Sequence, residues 1–160
     1  MNAKDAIRTA LTSTRDMLAM YLSDLSDADL LVRPVPNANH IAWQLGHLIE
    51  SEITFSGKYI CGAYPKLPPA FAELHSKDAA AMNPPNGFLS KEAYLNLFNQ
   101  ARAATLAALD KIPDADLDKP TSVDFAPTIG AMFLLTSDHT LMHAGQFTVV
   151  RRKLGKPILM

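Results

Sequence analysis

Three histidines have the residue type and the spacing of a metal site. His139 and His143 form an HxxxH pair in the segment SDHTLMHAGQ, and His47 lies in a separate segment, IAWQLGHLIESE. On a helix, residues four apart lie on one face, one turn above the other, so both imidazoles can point at one ion. Together with His47 they would supply three protein ligands and leave one position open, which is the arrangement of a catalytic rather than a structural zinc site.

The surroundings of these histidines favour the metal interpretation. An HxxxH pair often arises by chance, and two separately hydrogen-bonded histidines are then the usual outcome. Here both segments are rich in large apolar residues, and burying polar rings among them is costly unless each ring has a partner. A shared cation would satisfy all three rings, and bundle interiors are where facing helices build such sites.

Four further residues are candidates for lining the pocket or for hydrogen-bonding to the ligands. His40 lies seven residues before His47, two turns away on nearly the same face of the helix, so its side chain reaches either solvent or the open end of the site. Trp43 lies one turn before His47 and belongs either to the hydrophobic core or to the wall of the pocket. The carboxylate of Asp138, next to His139 in sequence, points about 100° away from the His139 ring on a helix. The four candidates are His40, Trp43, Asp138 and Gln146.

The remaining reactive residues carry weaker signals. His75 lies among charged residues in a proline-rich stretch, and we expect it at the surface. Glu50 and Glu52 are candidates for a general base only because they follow His47 closely. Cys61 is interpreted as a small, half-buried hydrophobic residue rather than a nucleophile.

Four long segments with helical periodicity must position these residues. Apolar residues recur in them at the i, i+3, i+4, i+7 spacing of an amphipathic helix, and no segment shows the sustained alternation of a strand. The pattern predicts an all-α fold, a four-helix bundle formed by a single domain over residues 1–160. The predicted helices run from about Ala3 to Ser23, from Asn39 to Cys61, from after Ser90 to Ile112, and from Pro127 or Thr128 to Leu154.

The connection between the second and third helices predicts the topology. It runs from Gly62 to Leu89, 28 residues with five prolines, whereas the other two connections have about 15 residues. Antiparallel neighbours in bundles need only about 2–8 residues, so we expect this segment to cross the whole bundle. Helices 2 and 3 would then be parallel, in up-down-down-up order, and PPAFAELHS would form a short extra helix on the way.

Composition excludes several classes of protein. The chain has 160 residues, a formal net charge of −1 and a pI of about 6.5. Its basic residues are scattered except for Arg151, Arg152 and Lys153, which favour a helix C-terminus, so the chain lacks the basic footprint of a nucleic-acid-binding protein. No uninterrupted apolar run approaches the roughly 18 residues of a membrane span. The N-terminal segment lacks a secretory apolar region and there is one cysteine, so we expect a cytoplasmic protein. The open position of the predicted metal site would take a small-molecule substrate.

The chain resembles the DinB/YfiT-like metalloenzyme superfamily. The residues that carry the resemblance are a W-x-x-x-H motif early in helix 2, Trp43–His47, and an H-x-x-x-H motif in helix 4, His139–His143. The second motif continues as Ala144-Gly145-Gln146 and is followed by RRKLGKP, which is also typical of the family. Both motifs, the helix count and the long connection agree, so the resemblance covers nearly the whole chain.

The resemblance implies a site and a class of activity. Family members bind a divalent ion, often nickel or zinc, through three histidines, and the matching positions here are His47, His139 and His143. Many members are homodimers. Some relatives are isomerases or transferases that use a low-molecular-weight thiol, so a thiol cofactor is a further expectation, although fold and metal transfer more readily than chemistry.

Two functions therefore remain open at the level of sequence. The first is a metal-dependent enzyme, either a hydrolase or a thiol-dependent transferase or isomerase. The second is a non-catalytic metal-binding or stress-response bundle that acts through dimerisation. A fourth protein ligand that closes the site would favour the second, and an open position that faces a cavity would favour the first.

Overall fold

The computed structural model describes residues 1–80 and 87–159, and in these ranges the fold is all-helical, with an isolated bridge between Pro120 and Thr128 and no strand. The second long helix continues beyond its α-helical part through a π turn, Ser51–Phe55, and a 3-10 turn, Ser56–Lys58. Two further 3-10 turns lie in the connections, Asp29–Leu31 and Asp114–Asp118. The α-helices are α1 Ala3–Leu22, α2 Ile41–Glu50, α3 Phe71–Leu74, α4 Lys91–Lys111 and α5 Ile129–Lys153.

Polar N-caps fix where the long helices begin. The side chains of Asn2, Ser90 and Thr128 each accept a hydrogen bond from a backbone N–H in the first turn of α1, α4 and α5, which satisfies a donor that has no partner within the helix. The second long helix, predicted to begin at about Asn39, begins at Ile41. The cap is His40, whose Nδ1 accepts from the backbone N–H of Trp43 at 3.0 Å.

Contacts near the helix ends show that α1 is antiparallel to α4 and parallel to α5. Arg8, near the start of α1, pairs with Asp110, near the end of α4, so these helices are antiparallel. Arg151, near the end of α5, donates a hydrogen bond to the carbonyl of Tyr21, near the end of α1, so these two are parallel.

The predicted parallel arrangement of the second and third long helices is confirmed. Gly46 on α2 packs against His75, whose ring hydrogen-bonds to Tyr94 near the start of α4. Further along both helices, Glu52 pairs with Arg102. Contacts that advance together along two helices mean that the helices run in the same direction, so the order is up-down-down-up.

Buried apolar residues form two clusters on either side of a buried polar layer. Arg102 lies at the centre of that layer and is fully buried. Its guanidinium donates to the carboxylate of Glu52, to the Leu11 carbonyl at 2.8 Å and to Thr140 Oγ1 at 2.8 Å. Thr105 Oγ1 donates to Glu52 at 2.6 Å. The guanidinium of Arg102, on α4, therefore bonds residues from each of the other three long helical segments.

The crossover docks on the bundle and contains the short helix that the sequence predicts. The expectation that His75 lies at the surface was wrong, because this residue is only 1% exposed. Hydrogen bonds to the Phe71 carbonyl and the Tyr94 hydroxyl allow the ring to be buried. The charged residues near His75 in the sequence do not indicate these partners. Pro84 and Pro85 of the predicted crossover lie outside the described residues. No helix in the described ranges has both the length and the apolar character needed to cross a membrane.

Candidate metal centre

The three predicted histidines meet at one point in the bundle. A ring nitrogen from each of His47, His139 and His143 lies within 4.8 Å of the others. The Nε2 atoms of His139 and His143 are 3.2 Å apart. Two nitrogens bound to one tetrahedral ion at about 2.0–2.1 Å would be separated by roughly 3.3 Å, so the spacing of this pair fits a shared divalent ion.

Two antiparallel helices supply the three rings. His139 and His143 lie one turn apart on the inner face of α5, as the HxxxH spacing predicts. His47 lies near the end of α2, where Gln44 on α2 reaches His143 on α5. The ring centroid of His47 is 5.2 Å from that of His139 and 5.5 Å from that of His143.

Burial keeps all three imidazoles neutral at pH 7. Burial, and to a lesser extent the neighbouring histidines, lower the pKa of His139 to about 4 and that of His143 to about 3. The pKa of His47 is also lowered, first by burial. Neutral imidazole is the form that binds a metal.

Gln44 is a candidate functional residue that the sequence patterns did not predict. It is buried, and its Oε1 lies 2.8 Å from His143 Nδ1, while its Nε2 donates to the Asn39 carbonyl at 2.9 Å. Because a carbonyl can only accept, the bond to Asn39 identifies the amide nitrogen, and the atom that faces His143 is the amide oxygen. His143 Nδ1 therefore carries a hydrogen and donates a hydrogen bond to Gln44 Oε1. The lone pair of His143 Nε2 then faces His139, as a metal ligand requires. A polar residue within the apolar run of α2, three positions before His47, was the available signal.

The other predicted candidates are placed differently. Trp43 is buried and its indole stacks on His47, with ring centroids 4.9 Å apart and planes 8° from parallel. His40 is also buried, as the N-cap of α2, and is not in solvent. Asp138 and Gln146 are exposed on α5, and neither side chain hydrogen-bonds to the three histidines within the described ranges.

A cavity of about 340 Å³ opens beside the triad, and His47 and His139 form part of its wall. The π turn contributes much of the wall, since Ser51, Glu52 and Phe55 all face the cavity. A single π turn within an α-helix often marks a functional site. The other lining residues are Leu48, Glu50, Ser56, Lys77, Phe125, Leu135, Thr136 and Thr140.

Comparison with solved structures shows two proteins with the same fold. One is a conserved protein from Enterococcus faecalis, with a TM-score of 0.69 and 17% identity over 98% of this chain and 99% of that chain. The other is YfiT from Bacillus subtilis, with a TM-score of 0.69 and 15% identity over 96% of this chain and 89% of that chain. YfiT is described as a probable metal-dependent hydrolase with an unusual four-helix bundle topology.

Sequence comparison gives the family. No curated protein matches the chain. A sequence model of the DinB superfamily matches residues 10–147, which is most of the chain. With the helical fold and the histidine motifs agreeing, the chain belongs to the DinB superfamily.

Proposed function

We propose that this protein is a metal-dependent enzyme whose divalent ion is held by His47, His139 and His143. The observation that carries the proposal is the convergence of three neutral imidazoles beside a cavity large enough for a small molecule. Nickel and zinc are the expected ions, since both accept imidazole ligands. An ion held by three uncharged ligands would supply a positive charge that stabilises an anionic nucleophile or polarises a carbonyl group.

An open coordination position supports catalysis over a purely structural role. Among the described residues, no fourth histidine, cysteine or carboxylate belongs to the cluster. Two of the three ligands, His47 and His139, line the cavity, so the remaining position would face a substrate. This arrangement argues against the alternative of a non-catalytic metal-binding or stress-response bundle.

The cavity wall favours a substrate with an apolar body and an anionic group. Phe55 and Phe125 stack on each other at 6.2 Å and present aromatic surface. Lys77 is the one cation among the residues that line the cavity, and within the described ranges it has no carboxylate partner. The Lys77 ammonium can therefore pair with a carboxylate or phosphate of the substrate.

The reaction class we propose is hydrolysis, or attack by a low-molecular-weight thiolate on an electrophile. Glu50 is the better candidate for a general base. Both oxygens of Glu52 already accept hydrogen bonds from Arg102, and Thr105 donates to one of them. Glu50 lines the cavity and accepts only from Thr54 among the described residues.

A homodimer is a further part of the proposal, supported by exposed apolar residues on α5. Leu134 and Leu141 are seven residues apart, as are Met142 and Val149, and the two pairs together span an arc of about 100° on the helix. Their exposed fractions are 42%, 45%, 56% and 49%. An exposed apolar stripe of this kind on a soluble bundle is typical of an association surface.

The experiment that tests the function combines metal analysis with an activity screen. Protein purified without an affinity tag or chelator is analysed for bound metal. It is then assayed with anionic aryl esters and amides, and with an electrophile in the presence of low-molecular-weight thiols. Metal-dependent turnover that disappears in the Glu50→Gln variant would support the proposal, whereas tightly bound metal without turnover in any of these assays would favour the non-catalytic alternative.

A further inference from the structure

The crossover holds the tryptophan that stacks on His47. Trp43 Nε1 donates a hydrogen bond to the Ser76 carbonyl at 3.0 Å. The indole has one donor only, so this bond fixes the rotation of the ring. Because the indole plane is within 8° of the His47 plane, fixing the indole also restricts the imidazole.

His75, directly before Ser76, anchors the crossover in the bundle. Its Nδ1 lies 2.7 Å from the Phe71 carbonyl and its Nε2 lies 2.7 Å from the Tyr94 hydroxyl. A carbonyl can only accept, so Nδ1 carries the proton and Nε2 accepts from Tyr94. Tyr94 is fully buried, and its hydroxyl therefore connects the crossover to α4 in the interior.

Gly46 allows this anchor to approach α2. A Cβ atom built on Gly46 would lie 2.0 Å from the His75 ring, and the ring cannot move aside easily because both of its nitrogens are bonded. Only glycine leaves room for the imidazole at this point. Gly46 is adjacent to His47 in sequence, so the ring packs on the helix beside the candidate ligand.

We propose that Gly46, His75 and Tyr94 form a latch that positions the ring of His47. The latch seats the crossover on α2, the Ser76 carbonyl then holds Trp43, and Trp43 keeps the His47 ring facing the other two histidines. These three residues are positioning residues, since none of them lines the cavity. The metal-affinity part of the inference rests on the proposed function, whereas the ring-orientation part does not.

The first test removes one hydroxyl with Tyr94→Phe. Trp43 is the only tryptophan in the chain, so its fluorescence reports on this contact in chelator-treated protein without any metal. We expect acrylamide quenching of Trp43 to rise about twofold and the NMR signals of the His47 ring to shift. Zinc affinity should fall about tenfold, the lower end of the range for groups that orient metal ligands. Tyr59→Phe is the matched control, since the Tyr59 hydroxyl bonds Ser122 away from the crossover anchor.

The second test, Gly46→Ala, removes the room for the His75 ring and leaves the Tyr94 hydroxyl in place. Alanine favours a helix over glycine, so α2 itself should not weaken, while the added methyl group displaces the His75 ring. We expect the same rise in Trp43 quenching, the same His47 shifts and the same loss of zinc affinity, with helical circular dichroism retained.

Two results would decide against the latch, and a third would decide against the proposed function. Quenching and His47 signals equal to wild type in both variants would show that the anchor does not hold Trp43. Greater quenching with unchanged His47 signals and unchanged zinc affinity would show that the anchor docks the crossover without positioning His47. If wild-type protein binds no zinc, the proposed function fails instead, and the His47 signals of metal-free protein alone then decide whether the latch exists.

Discussion

At the scale of single residues, the site depends on which ring nitrogen carries the proton. Gln44 decides this for His143, because its Oε1 accepts from Nδ1 and leaves Nε2 free of a proton. Hydrogen-bond partners of this kind orient a ligand and increase its basicity. In the proposed metal site, the amide would therefore contribute to metal binding without touching the ion.

Replacing Gln44 by Leu should weaken zinc binding by about 10- to 100-fold. The variant keeps a side chain of similar size, so the rest of α2 should remain in place. Affinity is measured by competition with a chromogenic chelator, and Gln100→Leu, an exposed position on α4, serves as control. Affinity equal to wild type would show that Gln44 is not needed to orient His143.

The buried histidines make the metal-free protein sensitive to acid. Burial lowers the pKa of both His40 and His75 from 6.5 to about 4. Between these values the unfolded chain binds protons that the folded chain does not, so stability is lost as the pH falls from about 6.5 towards 4. Each such histidine contributes a slope of up to about 1.4 kcal/mol per pH unit.

Urea unfolding of metal-free protein at pH 7.5, 6.0 and 5.0 checks this slope. We expect the free energy of unfolding to decrease steadily, and His40→Asn to reduce the decrease, since asparagine keeps the N-cap and does not titrate. A stability that stays constant between pH 7.5 and 5.0 would mean that these rings accept protons without cost in the folded state.

At the scale of helices, the buried ion pair between Glu52 and Arg102 links the π turn to α4. Removing the guanidinium leaves the Glu52 carboxylate buried without a counter-charge. We expect Arg102→Met to lower the free energy of unfolding by about 3–5 kcal/mol. Arg8→Met, which breaks the exposed pair with Asp110, should cost no more than about 1 kcal/mol.

Chemical denaturation of both variants provides the measurement. Adding Glu52→Leu to Arg102→Met should recover part of the loss, since two apolar residues leave no unpaired charge. If Arg102→Met is as stable as Arg8→Met, the pair does not hold the π turn in place.

At the scale of the whole molecule, local sequence patterns predicted the bundle and the three histidines, but they did not predict which residues distant in sequence form hydrogen bonds with each other. The period of the apolar residues predicted the four helices, the length of the crossover predicted the parallel pair, and the HxxxH spacing placed His139 and His143 on one face. Gln44 pairs with a residue 99 positions away, and Glu52 pairs with one 50 positions away. No spacing rule connects such residues. His75 was misplaced for the same reason, because its partner Tyr94 lies on another helix.

Association of two copies is predicted by the apolar stripe on α5. Replacing Leu141 and Met142 by Lys should convert a dimer into a monomer without loss of helix, since both side chains are about half exposed in the single chain. Light scattering coupled to size-exclusion chromatography measures the mass. A wild-type protein that is monomeric at high concentration would contradict the dimer.

His47, His139 and His143 are proposed to bind one divalent ion. Calorimetric titration of untagged, chelator-treated protein with zinc, in parallel with the His143→Ala variant, measures this binding. We predict one ion per chain for wild type. For the variant we predict an affinity at least about 100-fold weaker, because a direct ligand should matter at least as much as the groups that orient it, with unchanged helical circular dichroism since the core is largely aliphatic. Absence of zinc and nickel binding by wild type, or full affinity in the variant, would show that these three histidines do not form a metal site.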